Sequence, residues 1–389
     1  MTDSSFYDYA IIGAGAAGIN LALAMQEDAF FAEKKILILD KDTKEKDDRT
    51  WSFWEMGTGK WDKIITKSWE KGLFNTRDKS IKLSLHPYRY KTLSGLAFYQ
   101  HAKKRLAQAN NIHWLQEEVK TLVLEEYITI KGLNKDYQAR QVFDSRIDPC
   151  FEREKGNYFS ILQHFKGWEI ETTKPTFDPT TFVMMDFQVK WKNSTSFTYV
   201  LPITPTKALV EFTLFTQDLI AYDAYDALLK KYIVGVLGLK DYKISKVEYG
   251  VIPMSDYPFQ QANKPGITKI GTAGAQVKPS SGYAFKNCEL SAQHIINNIK
   301  RNRPPHKGLI TKKFRLYDSL YLDVLSNHNH LGESIFTDMY TKNSIQQIFK
   351  FLDEQTSLIE DISIINSFQV APFLQALSYK ILGWRFPSL

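Results

Sequence analysis

The hydrophobic positions at the start of the chain form two short apolar runs with a glycine-rich turn between them. Residues 7–12 and 35–40 have the length and near-continuous apolarity of buried strands. Residues 20–25 continue from the turn with the composition of a buried helix. A strand, a turn, a helix and a second strand within about 35 residues predict a βαβ unit.

The middle of the chain has a different pattern. Between Ser160 and Thr216, apolar and polar residues alternate in long runs, for example over 182–187 and 209–214. Alternation with a period of two is typical of antiparallel strands that bury one face. We therefore expect an inserted antiparallel sheet in this region, and the spacing over 222–237 predicts a helix after it.

The last third of the chain returns to the first pattern and then becomes helical. Residues 267–272 again resemble a buried strand, and a turn and a helical pattern ending near Ile299 follow. After Pro304 and Pro305, helical spacing rich in Leu, Ile and Phe continues over 314–384. The patterns predict an α/β protein in three parts: a discontinuous Rossmann-type domain (1–150 and 245–305), an antiparallel β-sheet substrate domain (151–244) and a helical C-terminal region (306–389).

Composition narrows the class of function. Aromatic residues make up 14% of the 389 residues, which indicates either a ring-rich core or an apolar ligand tunnel. The net charge is +7, but acidic and basic residues alternate, as over 41–49, so we expect no nucleic-acid partner. The eight histidines include one pair at ligand spacing, His328 and His330, in a polar turn, and we expect no metal site.

The chain has the features of an intracellular protein. Its two cysteines, Cys150 and Cys288, exclude a disulfide scaffold and fit a reducing compartment. No stretch approaches 18 uncharged apolar residues, and the N-terminus lacks a charged segment followed by an apolar one. We therefore expect a cytoplasmic protein without a transmembrane helix.

The glycine turn carries the first chemical signal. Gly13, Gly15 and Gly18 follow a strand and open a helix, and Asp40 ends the next strand. In this context the first glycine permits the tight turn, the second lets a pyrophosphate approach the backbone, and the third lets the helix pack closely. Asp40 is the expected acceptor for a ribose 2′-hydroxyl. The sequence therefore predicts a bound dinucleotide.

Two later motifs indicate which dinucleotide. Residues 270–283 resemble the second FAD motif of the flavin-hydroxylase and geranylgeranyl-reductase-like superfamily, and 143–146 resemble its short acidic turn. Thr272 stands where most relatives have Asp. The resemblance implies FAD in a Rossmann-type domain, held by Gly13, Gly15, Ala16, Ala17, Gly18, Asp40, Lys41, Arg49, Val119, Asp144, Arg146, Gly271, Thr272, Ala273, Gly282 and Tyr283.

A closer family shares a series of motifs in the same order. The chain resembles the bacterial and plant lycopene cyclases from about residue 6 to about residue 300, and more weakly beyond, at 48–54, 143–146, 163–168, 185–187, 199–213, 248–254 and 271–285. The resemblance implies closure of β-ionone rings on lycopene, through γ-carotene to β-carotene. It also implies reduced FAD in a non-redox role, NAD(P)H as the reductant, and other carotenoid-forming enzymes as candidate partners.

Ring closure needs an acid that protonates an alkene, so a carboxyl kept neutral by apolar surroundings is required. The resemblance makes Glu211 the first candidate for acid–base work, although an outward-facing surface acid is the alternative. Asp186 is the second candidate, as acid, base or orienting partner; the alternative is an acid paired to an arginine at a domain junction. Glu248 matches another family acid and is otherwise a structural contact.

Aromatic and apolar residues complete the prediction. Trp51, Phe53 and Trp54 either line the substrate tunnel or pack in the core. The apolar stretch from Phe368 to Phe386 has helical spacing, which fits either an interfacial helix on the inner membrane or a helix packed on the core. The rival functions are a flavin monooxygenase or reductase acting on an apolar isoprenoid, and a lipid-escort protein without FAD.

Overall fold

The computed structural model describes residues 6–382. The strands are β1 (Phe6–Ile12), β2 (Ile36–Asp40), β3 (Thr50–Met56), β4 (Lys67–Trp69), β5 (Lys71–Asn75), β6 (Ser80–Ser84), β7 (Tyr88–Ser94), β8 (Ile112–Gln116), β9 (Val119–Leu124), β10 (Ile128–Gly132), β11 (Asp136–Asp144), β12 (Ser160–Glu171), β13 (Thr181–Asp186), β14 (Thr195–Thr204), β15 (Lys207–Thr216), β16 (Lys243–Ser255) and β17 (Ile267–Lys269). The α-helices are α1 (Ala16–Glu27), α2 (Gly95–Leu106), α3 (Pro149–Glu154), α4 (Tyr222–Gly235), α5 (Phe285–Lys300), α6 (Lys312–Asn327), α7 (Gly332–Lys342), α8 (Ile345–Leu352), α9 (Leu358–Ile365) and α10 (Ala371–Ile381).

The first sheet is the predicted Rossmann-type unit. Strands β8, β2, β1, β11 and β17 lie parallel in that order, and β10 and β9 extend the sheet in antiparallel pairing. Helix α1 is buried along most of its length because its residues are small or apolar, and it packs beside α5 over one face of the sheet. Apolar side chains of β9 and β10 help to cover the other face. The α/β fold class is confirmed.

The second sheet is the predicted antiparallel layer. Its order is β16-β12-β15-β14-β13-β5-β6, and all pairs are antiparallel except β13 with β5. Helix α4 packs on one face, where Phe212 and Leu214 meet Tyr225 and Leu229. Apolar residues of the other face pack with α6, α7 and α8. Alternate residues of each strand therefore meet two different environments.

The sheet draws on more of the chain than residues 151–244. Strands β5 and β6 come from residues 71–84, and β16 runs on to Ser255. Strands β3, β7 and β4 form a small third sheet. Strand β3 begins at Thr50, directly after Arg49, one of the predicted cofactor-binding residues. The three-part division at residues 150, 245 and 305 remains a prediction, and the strand pairing indicates that its parts are interwoven.

The C-terminal region is helical, as its spacing predicts. Helices α6–α10 follow one another from Lys312 to Ile381. Within residues 6–382, no helix combines the length and the apolarity that crossing a membrane requires.

Candidate active site

A cavity of about 330 Å³ lies between the inner face of the second sheet and the C-terminal helices. Its volume is at the lower end of the range for small-molecule sites. Most of its lining is aromatic or aliphatic, and the rings include Trp51, Phe165, Phe197, Phe215, Phe285, Phe314, Phe336, Phe351, Phe368 and Phe373. Part of the high aromatic content therefore lines a cavity suited to an apolar ligand.

Glu211 lies on the cavity side of β15. Its neighbours in sequence, Val210 and Phe212, point to the opposite face and pack with α4, so alternation along the strand directs Glu211 into the cavity. Burial raises the pKa of Glu211 to about 8, and the negative charge of Glu248 is the second cause of the rise. A hydrogen bond of 3.1 Å from Thr213 Oγ1 acts in the opposite direction and lowers the pKa. A carboxyl with this pKa is mostly protonated at neutral pH and can donate a proton.

Glu248 lies in the same row of the sheet, two strands away. Gly167 of β12 is paired with Glu211 on one side and with Glu248 on the other. With strands about 4.8 Å apart, the two glutamate Cα atoms are about 10 Å apart. A Cβ atom at position 167 would stand 3.4 Å from the Cβ of Glu211. The absence of a side chain at Gly167 therefore leaves space between the two carboxylates.

Charged and polar partners surround Glu248. Lys246 Nζ lies 2.7 Å from Glu248 Oε1 and also 2.7 Å from Asp47 Oδ2. Thr50 Oγ1, which lines the cavity, donates a hydrogen bond of 2.5 Å to Glu248 Oε1. These contacts hold the Glu248 side chain in place beside β3. Thr50 therefore connects the cavity to the Glu248 side chain.

Asp186 lies on the opposite face of the same sheet. Its register partner Thr198 is one residue from the cavity-lining Tyr199, and its carboxylate accepts hydrogen bonds from Tyr232 Oη of α4 (2.9 Å) and Asn75 Nδ2 (3.0 Å). The backbone N–H of Gln188 supplies a third, at 3.0 Å. The structure does not bring Asp186 together with Glu211 and Glu248, because the alternation of β13 and β14 directs it beneath α4.

Three tyrosines join Glu211 to the turn at Gly282. Tyr199 is paired with Glu211 across β14 and β15, and its hydroxyl donates to the hydroxyl of Tyr90. The Tyr90 and Tyr283 hydroxyls are 3.5 Å apart. Burial raises the pKa of all three hydroxyls, so they stay protonated at neutral pH. The group brings neutral hydroxyls and electron-rich ring faces to the cavity.

The predicted dinucleotide turn has the geometry that its glycines require. Gly13 has φ +97°, and a Cβ atom there would stand 1.9 Å from Ser145 Oγ. A Cβ at Gly18 would stand 2.0 Å from the carbonyl oxygen of Gly13, so this glycine allows α1 to pack against the turn. At Gly15, the first residue before α1, a Cβ would meet no atom within 4 Å. Gly15 therefore faces open space at a helix N-terminus, beside Ala16 and Ala17.

Asp40 supports this turn from the end of β2. Its Oδ2 accepts a hydrogen bond of 2.6 Å from Ala14 N, and its Oδ1 accepts one of 2.8 Å from Asp42 N. Lys41, next to it, is exposed, and so is Arg49, whose guanidinium donates to Asp48 at 2.7 Å. The structure places Asp40 beside the turn, whereas Lys41 and Arg49 lie on the surface of the loop that follows it.

The acidic turn after β11 is tied to its surroundings. Burial would raise the pKa of Asp144, but hydrogen bonds and the charges of Arg146 and Lys269 outweigh it and lower that pKa. Arg146 also donates to the carbonyl oxygen of Val119 at 2.8 Å. These contacts hold Asp144, Arg146 and Val119 together, close to Gly13 through the contact of Gly13 with Ser145.

The last predicted segment closes the same region. Gly271 has φ +61°, and a Cβ there would lie 3.4 Å from the Cβ of Ala17, so the turn with Thr272 and Ala273 packs against the start of α1. Gly282 has φ +70°, and Gly282 and Tyr283 line the cavity. The three predicted motifs therefore meet at the carboxyl edge of the parallel strands, where open α/β sheets bind their ligands.

The other predicted aromatic residues separate into two groups. Trp51 lines the cavity, whereas Phe53 stacks on Phe285 with ring centroids 5.0 Å apart and Trp54 stacks on Phe349 at 4.4 Å. In the C-terminal stretch, Phe368 and Phe373 line the cavity. Trp384, Arg385 and Phe386 lie outside the described residues. No group of His, Cys, Asp and Glu side chains within the described ranges could hold a metal ion.

Sequence reasoning missed several residues of the site. Tyr90 lies in β7, which pairs with β3 and β4, and it joins the site through contacts with Tyr199 and Tyr283 from other segments. Lys246 and Thr50 reach Glu248 only because β16 and β3 come together in space. One signal in the sequence did mark this part of the site. Gly167, in the motif at 163–168, lies inside a strand, and a glycine there often marks a place where a ligand or another backbone approaches closely.

Comparison with known proteins matches nearly the whole chain to one family model. Residues 8–378 match the model of the family described as lycopene cyclase protein. A lycopene beta-cyclase from Paracoccus sp. (strain N81106 / MBIC 01143) is 26% identical over 221 residues, which are 54% of this chain and 52% of that protein. The chain thus spans about half the length of this curated relative.

Solved structures share the fold at low sequence identity. A geranylgeranyl bacteriochlorophyll reductase-like protein from Thermoplasma acidophilum has a TM-score of 0.59 at 14% identity, covering 98% of this chain and 99% of that one. A flavoprotein/dehydrogenase from Cytophaga hutchinsonii has a TM-score of 0.62 at 10% identity, covering 97% and 100%. The halogenase PltM in complex with phloroglucinol and FAD has a TM-score of 0.60 at 12% identity, covering 95% and 86%. These likenesses concern the fold alone.

Proposed function

The chain belongs to the lycopene cyclase family, and on that premise we propose that it closes β-ionone rings on the linear ends of lycopene, through γ-carotene, to give β-carotene. The observation that carries the proposal is a protonated carboxyl in an apolar, ring-lined cavity, Glu211, whose pKa is raised to about 8. This is the group that protonation of an alkene requires. Ring closure is an isomerisation, so it needs no net oxidant or reductant.

We propose reduced FAD as the resident cofactor and NAD(P)H as its reductant. The open space at Gly15 and the helix N-terminus behind it fit a pyrophosphate, and Gly13, Gly18, Asp40 and Gly271 shape the surrounding turns. Gly282 and Tyr283, in the last of the predicted cofactor segments, line the cavity. When bound, a reduced and anionic flavin supplies negative charge that stabilises a nearby cation.

The side chains of the cavity divide the acid–base work. Glu211 donates its proton to the terminal alkene of the substrate, and the electrons of the next double bond close the ring and leave a tertiary cation. The ring faces of Trp51 and Tyr199 stabilise that cation without trapping it as a nucleophile would. Glu248, acting through the hydroxyl of Thr50, accepts the proton that the ring loses, and its return to Glu211 completes the cycle.

Pigment conversion tests this function directly. Expression in a lycopene-accumulating host should convert lycopene to β-carotene, and the purified, flavin-loaded protein should do so anaerobically without consuming NAD(P)H at each turnover. Stoichiometric NAD(P)H or oxygen consumption would indicate the rival monooxygenase or reductase. A purified protein with no flavin absorbance would indicate an escort protein, and unchanged lycopene in the presence of a flavin-loaded protein would contradict the proposal.

The pH profile should report the protonation of Glu211. Because the acid must be protonated to act, activity is expected below the pKa of about 8 and should fall as the pH rises through it. Burial is the main cause of the raised pKa and the charge of Glu248 is the second. Glu248→Gln should therefore move the alkaline limb of kcat/KM to lower pH in addition to lowering the rate. An alkaline limb that stays in place in this variant would contradict the coupling.

We also propose that the protein acts in the cytoplasm and rests on the inner membrane, because its substrate is dissolved in lipid. Exposed apolar side chains on α9 support this proposal, with Leu358 63% and Ile359 82% exposed. On α10, Leu374 and Ile381 are exposed as well, while Phe373 lines the cavity. Lys380 contacts Ser319 rather than standing free for a phosphate. Contact through α9 and α10 is therefore expected to depend on apolar side chains more than on charge.

Vesicle binding tests the membrane contact. Ile359→Ser combined with Ile362→Ser should lower binding to phosphatidylcholine vesicles by at least about tenfold, because burying one isoleucine is worth about 1.5–3 kcal/mol. Leu133→Ser is the matched control, since Leu133 is 61% exposed in the turn between β10 and β11. Equal binding of both variants, measured by flotation, would contradict a contact through α9.

A further inference from the structure

Two buried polar atoms without a partner meet beside the turn at Gly282. The Oε1 atom of Gln163 and the Oγ atom of Ser281 are both buried, and neither has a hydrogen-bond partner in residues 6–382. Both residues line the cavity. A Cβ atom at Gly282 would stand 1.8 Å from Gln163 Oε1, so the amide of β12 lies directly against this turn.

Leaving such atoms unpaired is costly. A buried polar atom without a partner costs about 1–3 kcal/mol, and two that meet at one wall of a cavity indicate a ligand with matching polar atoms. The proposed substrate cannot supply these atoms, because lycopene is a hydrocarbon without a hydrogen-bonding group. The polar atoms are therefore available to a different molecule at the same wall.

We propose that Gln163 and Ser281 bind the polar edge of the flavin ring, an inference that rests on FAD being the cofactor. The pyrimidine part of that ring presents an imide, with an N–H between two carbonyl groups. The amide of Gln163 is complementary to it, since its oxygen accepts from the imide N–H and its NH₂ group donates to a carbonyl. The hydroxyl of Ser281 donates to a carbonyl on the same edge.

This contact gives the sheet a part in positioning the flavin. Gln163 lies on β12, the strand between those of Glu211 and Glu248, and Gly167 of the same strand separates the two carboxylates. A flavin held by Gln163 is therefore aligned with the row of catalytic side chains by one strand. Gln163 is therefore a residue that positions the flavin, and it takes no part in proton transfer.

Reconstitution of the apoprotein with two flavins tests the inference. The probes are FAD and its analogue methylated at N3, which lacks the imide N–H. The wild-type protein should bind the analogue about three- to tenfold more weakly than FAD, which corresponds to one hydrogen bond. Gln163→Ala should bind FAD more weakly and should lose this discrimination, because the partner of the N–H has been removed while space for the methyl group remains.

The neighbouring serines provide a matched pair. Ser281→Ala should weaken FAD binding about threefold or more. Ser280→Ala, also at the cavity, should leave it unchanged, since of these two serines Ser281 alone has its hydroxyl among the buried unpaired atoms of the described residues. In the apoprotein, Gln163 Oε1 and Ser281 Oγ have no hydrogen-bond partner within the described residues. Gln163→Ala and Ser281→Ala therefore remove no protein hydrogen bond of these atoms, and loss of such a bond should not lower the midpoint of thermal unfolding.

The outcomes separate this inference from the proposed function. Equal discrimination between the two flavins in wild type and Gln163→Ala, or equal effects of the two serine substitutions, would overturn the inference while FAD binding itself stands. If Gln163→Ala or Ser281→Ala bound an oxygenated carotenoid more weakly but bound FAD as tightly as the wild type, the two atoms would belong to a substrate site. That result would also overturn the inference. A wild-type protein that binds no FAD would overturn the proposed cofactor together with this contact.

Discussion

Glu211→Gln should lower the rate of lycopene cyclisation by about 10²- to 10⁴-fold, the usual contribution of a general acid. The amide has nearly the same shape as the carboxyl, so cavity packing is kept while the transferable proton is lost. The hydrogen bond from Thr213 can still be accepted by the amide oxygen. The measurement is β-carotene formed per flavin-loaded molecule, with the flavin content determined by absorbance so that a binding defect is not mistaken for a catalytic one.

Asp186→Asn is the contrasting variant, because Asp186 lies on the other face of the same sheet. Its carboxylate accepts hydrogen bonds from Tyr232 and Asn75, so the amide should lower the free energy of unfolding. The turnover of the folded protein and its pH profile should stay close to wild type. Full activity of Glu211→Gln, or a catalytic loss confined to Asp186→Asn, would require a different acid.

Gly18→Ala should destabilise the protein by about 3 kcal/mol and abolish FAD retention, because the new Cβ would stand 2.0 Å from the carbonyl oxygen of Gly13. The clash is with backbone and cannot be relieved by rotating a side chain. Gly15→Ala separates folding from binding. Its Cβ would meet no protein atom within 4 Å, so apoprotein stability should change by less than about 1 kcal/mol while FAD affinity falls at least about tenfold.

Denaturant unfolding of the apoproteins and flavin titration measure the two effects. If Gly15→Ala bound FAD as tightly as the wild type, the open space at Gly15 would not be the pyrophosphate site. If Gly18→Ala were as stable as the wild type, the helix would be able to shift away from the turn, and close packing at Gly18 would not be required for the fold.

Local patterns predicted the parts of the molecule in which neighbours in sequence are also neighbours in space. Strand β1, the glycine turn, helix α1 and strand β2 form one unit with a strong signal, and the structure confirms it. The alternation around Glu211 predicted a strand but did not show whether Glu211 points into the protein or toward solvent. That choice depends on which helices cover each face, and the helices on the cavity side, α6 to α8, come from a distant part of the chain.

Long-range pairing accounts for what the sequence could not predict. Strand β5 joins the second sheet beside β13 in parallel, across about a hundred residues, and no periodicity marks that partnership. The same holds for the tyrosine group, because Tyr90, Tyr199 and Tyr283 come from three distant segments. Asp186 shows the limit most clearly. Its surroundings in sequence resemble those of Glu211, and only the register of β13 and β14 sends it to the other face.

The row formed by Glu211, Gly167 and Glu248 also restricts how the product of such an enzyme can be changed. A sheet is a grid, so a proton acceptor can be moved only in steps of about 4.8 Å between strands or about 6.8 Å along one strand to the next residue on the same face. Along β16 the next such position toward the C-terminus is Gly250, where a Cβ would stand 2.4 Å from the ring of Phe165. Redesign toward a ring with a different double-bond position is therefore a choice among a few discrete sites, and relocating the base to Gly250 would require a smaller residue at Phe165 in the same step.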